Sequence, residues 1–167
     1  GDLTDHFDPR TNSISLSDSV YGSTSVAAIG VAAHESGHAV QYAEGYAPLK
    51  FRNAIVPVTQ FGAKLSTPLV ILGLILSIYP LAYAGIILFG AVVVFQLVTL
   101  PTEFNASRRA LAVLEEGNYL DGEELRGAKK VLSAAAMTYV AALFMSLMSL
   151  LRLIVIVSGS KNSRNRR

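Results

Sequence analysis

Three long apolar stretches, separated by shorter polar and turn-rich segments, set the pattern of this chain. The first 25 residues are polar, with Asp2, Asp5, Asp8, Pro9, Asn12 and Gly22 among several serines and threonines. Within them Asn12–Ser17 alternates polar and apolar side chains, which is the period of a short strand. Such an edge can take up an extended peptide by strand addition, or it can be an ordinary ribbon between loops. From Val26 to Glu44 only Gly30 and Gly37 weaken a helix; Ser23, Thr24 or Ser25 can cap its start and Gly45 can end it. Its first half, Val26 to Ala33, is small and apolar and is expected to be buried on all sides. Pro48 suits the first turn of a second helix running towards Lys64, with an irregularity at Pro57.

Residues 65–100 contain no charged side chain. As one helix these 36 residues would extend about 54 Å, well beyond a hydrocarbon core of about 30 Å, so the run must fold back. Tyr79-Pro80 is the natural bend. It predicts a hairpin of two membrane helices over about 63–79 and 81–100, the alternative being a hairpin buried inside a soluble helical domain. Pro101 to Glu116 predicts a more polar helix closed by Gly117-Asn118. Asp121-Gly122-Glu123-Glu124 opens another, with Asp121 as cap and Glu124 reaching back in a capping box. That helix continues into a third apolar stretch, Ala134 to Val157, where Arg152 lies close enough to the end to reach lipid headgroups. The division expected is a core over 1–130 interrupted by the hairpin at 63–100, a C-terminal membrane helix over 131–158, and a basic, disordered tail over 159–167.

Composition agrees with this division. The 167 residues are 51% hydrophobic and 16% charged, against about 25% charged in soluble domains, and mean hydropathy is +0.44. Such values exclude a disordered chain, and their clustering argues against an ordinary soluble domain. A net charge of +2 is too small to point to nucleic acid. The absence of Cys removes disulfides and thiolate metal sites. With no Trp, a membrane-interface belt has to rely on Tyr. A chain that begins with Gly is expected to be processed, trimmed or partial.

The chemistry concentrates at His34-Glu35-Ser36-Gly37-His38, an H-E-x-x-H motif. Positions i and i+4 lie about 40° apart on a helix, so both imidazoles can face one ion. Neutral imidazole is a good zinc ligand. Glu35 leaves an adjacent part of the helix surface, where it can take a proton from a water activated by the ion and later pass it to the leaving amine. By composition, a chance match would arise only about twice in a thousand chains of this size, and the helical context that the motif requires is present. Catalytic zinc takes a third protein ligand. Glu44 sits at the helix end, and Glu115, Glu116, Glu123 and Glu124 read as solvated helix-face residues. Glu103 opens the helix directly after the hairpin, and a hairpin returns to the side on which it began, so Glu103 is the candidate. The alternative is a first-turn Glu favoured by the helix dipole.

The motif, the apolar hairpin and Glu103-Phe104-Asn105-Ala106-Ser107-Arg108-Arg109 resemble the gluzincin membrane proteases, among them the heat-shock-associated membrane zinc proteases and the CAAX prenyl proteases. The closer resemblance is to the bacterial membrane neutral zinc metallopeptidases of YugP-like type. It is carried by Leu3-Thr4-Asp5-His6-Phe7-Asp8-Pro9-Arg10, Ala32-Ala33-His34-Glu35, Ala43-Glu44-Gly45-Tyr46-Ala47-Pro48-Leu49, and Gln96 through Pro101 to Ala110. The resemblance spans nearly the whole chain. It implies an all-α integral membrane fold, with the motif helix and the Glu helix joined by the hairpin and a small β edge ribbon near the N-terminus. It further implies one Zn²⁺ per chain held by His34, His38 and Glu103, and another membrane helix upstream of Gly1. The wider clan has an Asp four residues after the ligand Glu. Here that position is Ser107, whose hydroxyl can still hydrogen-bond a ligand imidazole but orients it less strongly. Tyr139, His6 and Arg108 are the candidate donors to the oxyanion of a tetrahedral intermediate. Each has a plainer reading: an interface Tyr, a loop hydrogen bond, and a headgroup or carboxylate partner.

The function expected is a zinc-dependent endopeptidase acting on a peptide or membrane-protein substrate in the bilayer, with no nucleic-acid partner. The alternatives are a catalytically silent zinc-binding scaffold or chaperone-like protein, disfavoured by an intact Glu35, and a channel or transporter component, disfavoured by the charge-free hairpin. Residues 1–64 and 101–130 carry nine of the fourteen basic residues. The positive-inside rule then places the site at the cytoplasmic face of a bacterial plasma membrane, although a spanning last helix leaves the basic tail on the other side.

Overall fold

A computed structural model describes residues 4–165. Leu3, part of the N-terminal resemblance, and the last two arginines lie outside the described residues. The described residues form two short strands and four helices. β1 (His6–Asp8) pairs antiparallel with β2 (Ser13–Ser15), with Phe7 opposite Ile14. β2 lies within the alternating segment, whereas β1 carries no alternation signal of its own. The turn between them uses Asn12 at φ 52°, a left-handed conformation that Asn tolerates. It is braced by Asp8, which accepts the Arg10 backbone N–H at 2.9 Å. That bond and the Arg10 guanidinium hold the Asp8 carboxyl below its ordinary pKa.

Helix α1 (Val26–Ala43) starts at Ser25, whose hydroxyl accepts the Ala28 N–H at 3.2 Å, and ends before Gly45 at φ +67°, as the sequence predicts. The expectation that Val26 to Ala33 is buried on all sides does not hold. Ala28 and Gly30 are buried, Ala27 is exposed, and Val26, Ile29 and Ala33 are half-buried against Leu114, Leu120 and Ala128. The small side chains serve close packing on one face, not full enclosure.

Helices α2 (Ala47–Ile75) and α3 (Tyr79–Glu116) are longer than predicted. Pro57 and Pro68 lie inside α2 and Pro101 inside α3, so the expected irregularity and the expected helix start do not break the helices. The reversal sits at Leu76-Ser77-Ile78, with Ser77 at φ 60°. Pro80 instead falls in the first turn of α3, where its missing N–H costs nothing. Helix α4 (Gly122–Asn165) starts with the predicted capping box: Asp121 Oδ1 accepts the Glu123 and Glu124 N–H groups, and Glu124 Oε2 accepts the Asp121 N–H. α4 continues to Asn165, so residues 159–165 are helical where a disordered tail was expected.

Two compact units divide these helices. The first comprises Gly1–Lys50 and Thr99–Tyr139; around its Leu114–Ala128 cluster it buries Ala106, Ala110 and the polar side chains Gln41, Thr102 and Glu103. The second comprises Phe51–Val98 and Val140–Arg167. Its core is Val70, Ala82, Ile86 and Val157, with Tyr79, Tyr83 and Leu153 packed around them. Within it Gly73 and Gly85 let the α2 and α3 backbones meet: a Cβ on Gly73 would lie 2.4 Å from the Ala82 nitrogen, and one on Gly85 2.6 Å from the Ser66 carbonyl oxygen. The Tyr79 hydroxyl donates to the Ser160 carbonyl at 3.1 Å, which holds the end of α4 beside the α2–α3 turn. Among the described residues three helices, α2, α3 and α4, are long and apolar enough to cross a membrane.

Candidate metal centre

The i, i+4 spacing on α1 sets the His34 and His38 rings edge to face, with centroids 4.7 Å apart. α3 supplies Glu103, which is 2% exposed. Its Oε2 lies 3.3 Å from His34 Nε2 and 3.6 Å from His38 Nε2. Gly37, the fourth residue of the motif, makes this approach possible. A Cβ there would stand 2.6 Å from the Ala106 carbonyl oxygen, so only glycine lets α1 settle against α3 at the level of Glu103.

One ligand atom from each of His34, His38 and Glu103 lies within 4.8 Å of the others. Two ligands of a tetrahedral zinc ion, each about 2.0–2.1 Å from it, are about 3.3 Å apart, so the observed spacing and the two-nitrogen, one-oxygen donor set fit such an ion. A buried carboxylate also requires compensation by a cation or by hydrogen bonds. Burial works against charge on the His38 ring, but the adjacent Glu103 carboxylate, with Gln41 and Glu35, outweighs it and holds the His38 pKa above the ordinary histidine value.

Behind both rings stand further polar groups. Ser107, one turn beyond Glu103, places Oγ 3.1 Å from His34 Nδ1. Gln41 Oε1 lies 3.0 Å from His38 Nδ1. The Gln41 amide nitrogen donates to the Thr102 carbonyl at 2.8 Å and to Asn105 Oδ1 at 2.9 Å. Asn105 Oδ1 also accepts from Arg109 Nε at 2.8 Å, and Arg109 reaches the Glu44 carboxylate at 2.7 Å. That ion pair lowers the Glu44 pKa.

In front of the cluster is a cavity of about 220 Å³ lined by Asp5, His34, Glu35, Glu103, Ser107 and Tyr139, with Val31, Leu132, Ala135 and Ala136 as its apolar wall. Glu35 is buried, with 9% of its surface exposed. Asp5 is held in place by Ser17, whose backbone N–H and hydroxyl donate to Oδ1 at 2.7 and 3.0 Å.

The structure thus brings together His34, Glu35, His38, Glu103, Ser107 and Tyr139. It does not bring in His6, which is exposed on β1, donates from Nδ1 to the Thr4 carbonyl at 2.7 Å, and does not line the cavity. Arg108 is likewise exposed and outside the cavity, while Arg109 is the carboxylate partner. Sequence reasoning missed Gln41, Asn105 and Asp5. The only advance signal for Gln41 was its place one turn after His38.

Residues 1–158 match the family described as "Putative neutral zinc metallopeptidase". Over 162 residues the chain is 47% identical to "Putative membrane protease YugP" of Bacillus subtilis (strain 168), covering 97% of this chain and 72% of that protein. No solved structure matches the chain. With its residues matched nearly end to end, the chain belongs to the family of neutral zinc metallopeptidases so described.

Proposed function

We propose that this protein is a membrane-embedded zinc endopeptidase, with one Zn²⁺ per chain held by His34, His38 and Glu103. The observation that carries the reading is the convergence of these three donors beside a cavity that also holds the Glu35 carboxylate. When bound, zinc lowers the pKa of a water and polarises the scissile carbonyl. Glu35 takes the proton of the attacking water and returns it to the leaving amine, a role that needs a carboxylate close to the ion but outside its ligand set. Tyr139, at the cavity wall, donates its phenolic hydrogen to the oxyanion. Ser107 orients His34.

The substrate is a peptide or membrane-protein segment taken in extended form. The exposed β2 residues, Ser13 to Ser15, offer an edge for it. The length and apolar character of α2, α3 and α4 support their crossing the bilayer, and the charge distribution supports a site on the cytoplasmic side of a bacterial plasma membrane.

The test is Glu35→Gln in the full-length protein, with zinc content and peptide cleavage measured side by side. Loss of a general base predicts a drop of about 10²–10⁴ in turnover with zinc retained. Equal zinc and equal inertness of wild type and variant on varied peptide and membrane substrates would favour a silent zinc-binding scaffold.

A further inference from the structure

The Gln41 side chain is fully buried, and its neighbours fix which way its amide points. The Thr102 carbonyl oxygen, 2.8 Å away, can only accept a hydrogen. Asn105 Oδ1, 2.9 Å away, is identified as an oxygen by Arg109 Nε, which has only a hydrogen to offer it. Gln41 therefore turns its nitrogen to α3 and its oxygen to His38 Nδ1, 3.0 Å away. An amide oxygen only accepts, so Nδ1 carries the ring hydrogen. The lone pair of the neutral imidazole is left on Nε2, the atom that faces Glu103. His34 is held differently. Its Nδ1 partner is the Ser107 hydroxyl, which can donate or accept, so that ring can carry its hydrogen on either nitrogen.

We propose that Gln41 is a positioning residue for the metal centre: its buried amide joins α1 to α3 and holds His38 in the one tautomer that offers Nε2 to an ion. This rests on the zinc reading above. The two ends of the amide do different work. The nitrogen joins the helices, and the oxygen fixes the ring and raises its basicity as a ligand.

Two substitutions separate these roles. In Gln41→Leu the Thr102 and Asn105 oxygens keep their other partners, and the metal-free His38 ring can move its hydrogen to Nε2 and donate to Glu103. The metal-free fold then loses little, while zinc must displace that hydrogen. In Gln41→Glu an oxygen still faces Nδ1, but a second oxygen now opposes the Thr102 carbonyl and Asn105 Oδ1. The fold weakens while the ligand tautomer is kept.

The experiment measures zinc affinity by chelator competition, and thermal unfolding of the metal-free form, on the full-length protein in detergent. Gln41→Leu is expected to lose about 10–100-fold in zinc affinity with the smaller drop in metal-free unfolding midpoint. Gln41→Glu is expected to keep the higher zinc affinity of the two while showing the larger drop. A positioning role thus gives opposite rank orders in the two measurements. Zinc affinity that simply follows stability, or undiminished zinc affinity in Gln41→Leu, would overturn the proposal. Should Gln41→Glu fail to fold, the affinity of Gln41→Leu against wild type decides alone. A wild-type protein that binds no zinc overturns the zinc reading and this inference with it. A zinc-binding wild type with an unaffected Gln41→Leu overturns only the role of Gln41.

Discussion

Gly37 shows how much of the site depends on one absent side chain. Within the motif it sits at a position that chemistry leaves open, yet a Cβ there would meet the Ala106 carbonyl oxygen at 2.6 Å. Gly37→Ala is expected to cost about 1–3 kcal/mol as overpacking between two helices, and to reduce zinc content by moving both imidazoles away from Glu103. Thermal unfolding and metal analysis check both effects. Ser107→Ala removes the partner of His34 Nδ1 and leaves the helix contact alone. Its expected result is at least about a tenfold loss in zinc affinity with the unfolding midpoint of the metal-free protein unchanged, read by chelator competition. His34 and His38 could be read from the sequence because their spacing follows directly from helix geometry, and Glu103 because the apolar hairpin returns its helix to the side on which it began. Gln41 and Asn105 could not, because their roles arise only when two helices about sixty positions apart along the chain come into register. His6 was a reasonable candidate by residue type, but the ribbon turns it outward.

At the scale of elements, local signals with a stereochemical cause were legible: the Ser25 cap, the Gly45 terminator and the Asp121–Glu124 capping box all occur where the sequence places them. Proline misled as a helix breaker. Pro57, Pro68 and Pro101 lie inside helices, a placement that lipid-embedded helices tolerate because neighbouring groups satisfy the freed carbonyls. The three-residue strand β1 left no period to detect. The Arg109–Glu44 pair, at the end of the polar chain behind the site, has a testable pH signature. The Glu44 pKa is lowered on folding by Arg109, so its stabilising effect is fully present above the ordinary Glu pKa and is lost as pH falls through the lower, folded value. The difference in unfolding midpoint between wild type and Glu44→Gln should therefore be small near neutral pH and vanish in acid. A difference that grows on acidification would contradict the pairing. Because Glu44 is exposed, solvent screening keeps the effect modest.

For the whole molecule the question is orientation in the bilayer. α4 presents Phe144, Met145, Met148 and Val155 outward, each at least half exposed, and little of its apolar stretch is covered by the rest of the protein. A helix that is apolar all round and unburied by protein is matched to lipid. If α2, α3 and α4 each cross once, as proposed, the α2–α3 turn and the end of α4 emerge together. The Tyr79–Ser160 hydrogen bond and the Lys161 ammonium, 5.7 Å from the centre of the Tyr83 ring, support that arrangement. Lys161 and Arg164 in the last turns of α4 then oppose the nine basic residues of 1–64 and 101–130. The larger set outweighs the smaller under the positive-inside rule, which is the ground for proposing a cytoplasmic site. The chain has no cysteine, so single substitutions report orientation cleanly. In intact spheroplasts an impermeant maleimide is expected to label Leu76→Cys and Ser160→Cys, and to label Glu116→Cys only after permeabilisation. The reverse pattern would put the metal centre outside the cell. Labelling of Leu76→Cys but not Ser160→Cys would mean that α4 does not cross the membrane, and the opposing basic tail would then cease to conflict with the rule.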